Sequence, residues 1–155
     1  GGDYDGLGVV QGSHLAVVFT DGPNAGPCTV WNFDIGDKGA FALWASTADG
    51  RVGNELVTHD RAAGVSGTYA GSLKGGDGAT RPASFTVAPQ GNAYQVSWSD
   101  GSRGVGLLNG NYLAVASGGP HCHVVSYQLT PNHLQGLWAT SGGKVLGSEE
   151  ANLRR

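Results

Sequence analysis

The chain repeats itself, and no other feature constrains its fold as tightly, because two related segments must build two related structural units. Gly6-Leu-Gly-Val-Val-Gln-Gly-Ser-His-Leu-Ala-Val-Val18 aligns residue for residue with Gly104-Val-Gly-Leu-Leu-Asn-Gly-Asn-Tyr-Leu-Ala-Val-Ala116. After a loop four residues shorter in the second repeat, Cys28-Thr-Val-Trp-Asn-Phe33 meets Cys122-His-Val-Val-Ser-Tyr127. Leu43-Trp-Ala-Ser46 then meets Leu137-Trp-Ala-Thr140, and Glu55 meets Glu149. Residues 6–58 are thus related to 104–153, while 67–103 form an extra front section of the second repeat with no counterpart before Gly1. Either that half was lost from the first repeat or the fold starts within a unit. At 155 residues the chain is expected to be a single domain, 1–155, with one internal repeat.

Each unit reads as strands. Ala93-Tyr-Gln-Val-Ser-Trp-Ser99 alternates strictly, with Tyr94, Val96 and Trp98 on one face and Gln95, Ser97 and Ser99 on the other. Similar runs are Leu15 to Phe19, Thr29 to Phe33, Ala40 to Ser46, Asn54 to Thr58, Gly67 to Leu73 and Ala83 to Ala88. Gly104 to Leu108, Asn111 to Ser117, Val124 to Leu129, Leu134 to Thr140 and Leu146 to Leu153 complete the set. The 28 glycines, about 18% where roughly 7% is usual, mark frequent turns. Asn109-Gly110 predicts a type I′ hairpin, and Gln11-Gly12 its weaker twin. No window carries a capped apolar stripe at helical spacing. The expectation is an all-β, antiparallel fold of two sequence-related halves in a barrel, sandwich or propeller-like arrangement, since a single open sheet this large would leave long unpaired edges. Trp44 and Trp138, at matched positions, are expected in the core.

Composition removes several function classes. With 14% charged residues and a net charge of -3, the chain lacks the basic surface that binds nucleic acid through counterion release. No run approaches the ~20 apolar residues of a membrane span. The absence of Met marks residue 1 as other than a translation start, so a processed, periplasmic or secreted protein is expected. Two cysteines agree with an oxidising compartment. Cys28 and Cys122 hold the same site in the two repeats, so a pseudo-twofold axis near them would bring them together as a disulfide; two reduced, buried thiols are the alternative.

The chemical motifs are thin. His121-Cys122-His123 suggests metal ligands, but Pro27 and Thr29 replace both histidines in the first repeat and no metal is expected. Gly6-x-Gly8 and Gly104-x-Gly106 begin like a dinucleotide fingerprint, yet the next glycine falls one place late and a strand follows, so no cofactor is expected. There is no Gly-x-Ser-x-Gly elbow, and the adjacent Glu149 and Glu150 would point to opposite strand faces. Glu55 and Glu149 are expected to close a turn or pair with Arg51 and Lys144. No catalytic residues are assigned and a non-enzymatic role is expected, an enzyme with spatially assembled groups being a rival. Loops are the remaining candidates. Ser97, Ser99, Asp100, Ser102 and Arg103 lie on one hairpin tip, and Ser117, His121 and His123 on or beside a Gly-rich connector. Thr20 to Pro27 is its longer counterpart in the first repeat.

The series Gly67-x-Tyr69-x-Gly71, Tyr94-x-Val96-x-Trp98, Gly104-x-Gly106, Gly110-x-x-Leu113-Ala-Val115, Tyr127, Leu134-x-Gly136-x-Trp138 and Gly147-x-Glu149 resembles a family of small secreted bacterial β-proteins, most without an assigned activity. The likeness covers Gly67 to Leu153 in full and the first 58 residues in part. By size, lack of a start Met and duplicated all-β plan, the chain also resembles periplasmic immunity proteins against type VI secreted cell-wall amidases. That resemblance implies a protein partner, a peptidoglycan-degrading hydrolase, blocked by a loop inserted into its active site. The loops at Ser97 to Arg103 and Ser117 to His123 would carry the contact. A calycin-like barrel holding a small ligand, or a secreted adhesion module, are the alternatives.

Overall fold

The computed structural model describes residues 6–21 and 26–152. Among them lie thirteen strands: β1 (Gly6–Gln11), β2 (His14–Thr20), β3 (Thr29–Ile35), β4 (Gly39–Ser46), β5 (Val52–Ala63), β6 (Ser66–Lys74), β7 (Thr80–Gln90), β8 (Ala93–Trp98), β9 (Arg103–Asn109), β10 (Tyr112–Ser117), β11 (Cys122–Thr130), β12 (His133–Ala139) and β13 (Gly147–Asn152). All pair antiparallel. They form a closed eight-stranded barrel, β10-β3-β4-β5-β6-β7-β8-β9, and an open five-stranded sheet, β1-β2-β11-β12-β13. The fold is therefore a barrel with a second sheet, not a propeller. Every expected strand is present, although the last runs to Leu153, outside the described residues. The strand β1 follows only from the repeat.

The two repeats exchange their hairpins. The hairpin β1-β2 of the first repeat pairs with β11 of the second, and the hairpin β9-β10 of the second pairs with β3 of the first. The registers coincide: His14↔Gln128 across β2/β11 corresponds to Tyr112↔Asp34 across β10/β3. Likewise Gly136↔Glu149 corresponds to Ala42↔Glu55, and Val125↔Trp138 to Trp31↔Trp44. Side-chain bonds repeat too. Gln11 Nε2 donates to the Asn32 carbonyl at 2.7 Å, as Asn109 Nδ2 does to that of Ser126 at 3.3 Å. The barrel differs from the open sheet by β6, β7 and β8, which the extra front section supplies.

Two apolar layers result. Between the sheets, Ala16, Val18, Cys28, Val30 and Ala45 pack with Ala114, Ala116, Cys122, Val124 and Ala139, their repeat partners. The small side chains let the backbones approach closely, and the pseudo-twofold axis runs through this layer. Cys28 and Cys122 meet on it as a disulfide, Cα–Cα 5.8 Å. Farther along, His14 stacks on its counterpart Tyr112 with ring centroids 4.2 Å apart. The second layer fills the barrel: Trp31, Phe33, Tyr69, Phe85, Val96 and Leu113 are buried there, and Tyr69 stacks on Phe85 at 4.9 Å. An eight-stranded barrel is just narrow enough for side chains to fill its interior.

The hairpins depart from the type I′ expectation. Asn109 pairs with Tyr112, so the turn residues are Gly110 and Asn111, and only Gly110 has positive φ, at 62°. Gln11↔His14 encloses Gly12, φ 58°, in the same way. Positive φ at the first central residue alone is the type II′ pattern, which needs glycine there and still matches strand twist. Trp44 is buried as expected, but Trp138 is 36% exposed because none of the described strands closes over its side of the open sheet.

Two outcomes follow from this packing. Replacing both cysteines by alanine releases a loop closed over 94 residues, and urea unfolding should show a loss of about 4 to 5 kcal/mol. A Cβ on Gly53 would collide with the Lys74 carbonyl and the Trp44 ring inside the barrel, whereas on the equivalent Gly147 it meets the ring of exposed Trp138. Gly53→Ala should therefore cost about 1 to 3 kcal/mol, while Gly147→Ala costs well under 1 kcal/mol as its indole swings aside. Equal losses in thermal unfolding would contradict this difference between closed and open sheets.

Candidate functional site

The hairpin tip between β8 and β9 is locally over-determined. Asp100 Oδ1 accepts from the Ser102 hydroxyl at 2.6 Å and its amide at 2.9 Å, which holds the Asp100 carboxyl below its ordinary range. The Trp98 amide donates to the Ser102 carbonyl at 2.9 Å, the Gly101 amide to that of Trp98 at 3.0 Å, and the Ser99 amide ties the tip to Ser84 on β7 at 3.0 Å. Gly101 supplies the positive φ, 90°, that closes the turn. This is an Asx-type turn that orders itself without a partner.

The connector after β10 is fixed differently. Gly118 has φ 127° and lies so close to the Pro27 carbonyl, Cys28 and the Cys122 sulfur that a Cβ would not fit. The Cys122 amide donates to the Gly119 carbonyl at 3.2 Å. Though distant in sequence, tip and connector share one cleft of about 550 Å³, where Ser102 and Arg103 face Gly118, Gly119 and Pro120. Ser99 and Asp100 turn toward the neighbouring barrel mouth. Ser97 is half-buried in the β8–β9 ladder opposite Arg103, and Ser117 in the ladder between Thr29 and Gly104.

The histidines lie elsewhere. His121, in the turn before β11, and His123, within it, both reach Asp21: Nδ1 of His121 lies 2.6 Å from Oδ1, and Nε2 of His123 lies 2.9 Å from Oδ2. The Ser141 amide donates to Nδ1 of His123 at 2.9 Å, so Nε2 carries the proton that bonds Asp21. The bond from His123 first, then that from His121, lowers the Asp21 pKa. His123 is only 5% exposed and lines the cleft on the open sheet, away from the rim cleft. No cluster of three or more metal-ligating side chains occurs among the described residues.

The barrel mouth holds a residue whose role sequence reasoning missed. Glu55 pairs with neither Arg51 nor Lys144; Arg51 bonds Asp49 instead. Its carboxyl is fully buried, lines the mouth beside Trp31 and Trp98, and neither oxygen has a hydrogen-bond partner among the described residues. Burial pushes its pKa up to about 7, and the nearby Trp31 indole offsets this only in part. Its counterpart Glu149 is exposed and accepts from the Tyr127 hydroxyl. Alternation gave no signal here: Glu55 and Val57 share one face while Leu56 and Thr58 share the other, each with one aliphatic residue, and only closure of the barrel buries the face that carries the carboxylate.

Glu55 gives stability a pH signature. Its folded pKa of about 7 lies above the ordinary 4.5, so the folded state keeps a proton that the unfolded chain releases. The contribution is complete below pH 4.5 and disappears as pH rises through 7, a loss of about 3 kcal/mol. Glu55→Gln should remove it, and the difference between the two proteins in urea unfolding from pH 4 to 8 isolates it from other groups; parallel curves would refute the assignment.

Against known proteins, the chain matches no family model, no curated protein and no solved structure.

Proposed function

We propose that the chain is a non-enzymatic, extracytoplasmic binding protein that grips a protein partner at the rim where the Ser97–Arg103 tip meets the Ser117–Pro120 connector. The observation that carries this reading is the convergence of two loops, each fixed by its own bonds, on one cleft. A loop that is ordered before binding avoids the entropy cost of ordering at the interface. The disulfide fits an oxidising compartment, and no helix among the described residues is long and apolar enough to cross a membrane. The barrel interior is packed with aromatic rings, which favours rim binding over an internal ligand chamber. The target class in this proposal is a cell-wall hydrolase whose active-site cleft receives the Asp100-Gly101-Ser102 tip.

The test is capture from periplasmic extract with the wild-type chain and with an Asp100→Ala, Ser102→Ala, Arg103→Ala variant, followed by inhibition assays on the hydrolase recovered. Affinity and inhibition should fall at least tenfold in the variant. Undiminished inhibition, or recovery of a small molecule without a protein, would overturn the proposal.

A further inference from the structure

The open sheet is the barrel without its closing strands. Val17, Tyr127, Trp138 and Glu149 stand where Val115, Phe33, Trp44 and Glu55 stand in the barrel. In the barrel these positions are buried, Trp44 at 8% exposure, whereas Trp138 is 36% exposed, Val17 and Tyr127 are half-buried and Glu149 is exposed. They line a cleft of about 680 Å³ on the face that points away from the barrel. What covers the corresponding face is known from the same molecule: β6, β7 and β8, whose Tyr69, Phe85, Val87, Val96 and Trp98 pack into it.

The edges agree. Five strands paired antiparallel leave β1 and β13 running the same way, so a segment joining both edges antiparallel needs an odd number of strands, as β6–β8 provides between β5 and β9. Gly6-Leu-Gly-Val-Val-Gln11 carries no charge, no proline and no register break, so it lacks the devices that protect an exposed edge. On the other edge, Glu149 and Glu150 favour a strand bearing Lys or Arg.

We propose that the open sheet is a docking surface for a three-stranded antiparallel segment of the β6–β8 kind, which pairs with β1 and β13 and closes a second barrel. Main-chain bonds at both edges hold it, and aromatic or branched side chains on its inner face cover Trp138 and Tyr127. Val125 stands where the barrel has Trp31, so the donor carries a bulkier side chain at that point. This inference is independent of the rim.

The probe is the chain's own segment 66–102, fused ahead of Gly1 through a protease-cleavable linker and cut after folding. The expected result is that the freed segment stays bound through gel filtration and slows amide exchange in Gly6–Gln11 and Gly147–Asn152 at least tenfold relative to the unfused chain. In the same fusion carrying Trp138→Glu, whose exposed side chain leaves the sheet itself intact by circular dichroism, the segment should be lost. Unchanged exchange at both edges overturns the proposal, as does retention despite Trp138→Glu. A dimeric unfused chain with both edges already protected overturns it as well, since a second copy would then occupy the surface.

Discussion

The structure depends on the contact between two related sheets across a thin layer of small side chains. Alanines at 16, 45, 114, 116 and 139 keep the sheets close, so that Val18, Val30, Val124 and the two cysteines fill the space around the axis. Larger residues there would push the sheets apart and separate Cys28 from Cys122. The same layer orients the rest: with their small-residue faces together, one sheet must turn its large residues into the barrel and the other must turn them outward.

The asymmetry arises from the residues between the repeats. In the first half of the barrel, Phe33 and Trp44 require cover, and β6–β8 provide it with rings of their own. On the other side Tyr127 and Trp138 hold the equivalent places, but the substitution of Tyr for Phe gives the half-buried ring a hydroxyl that bonds Glu149. The same glutamate position thus supports two chemistries: buried and without a partner at 55, exposed and bonded at 149.

Much of this was legible in the sequence because alternation and turn residues are local properties. The strands, the pairing of repeat positions and the matched cysteines all follow from such patterns. Where the hairpins go was not legible, since β2 could pair within its own repeat or with the other and nothing in His14–Thr20 distinguishes the choices. That long-range choice decides which Trp is buried and which glutamate loses its water. The rim was half legible: the tip at Asp100 and Ser102 reads as a turn, but its meeting with Gly118 to Pro120 depends on closure of the barrel. Asp21 escaped notice because its partners lie a hundred residues away.

Hairpin exchange also sets the order of assembly. Because β2, paired with β1, finds its second neighbour only at Cys122–Thr130, and β3, paired with β4, only at Tyr112–Ser117, neither repeat contains a sheet it can complete alone. The contact order is correspondingly high, which slows folding. A chain emerging from a ribosome or a translocation channel must hold about three quarters of its length in waiting, with its apolar hairpins exposed and Cys28 still a thiol, before the last strands bring the molecule together.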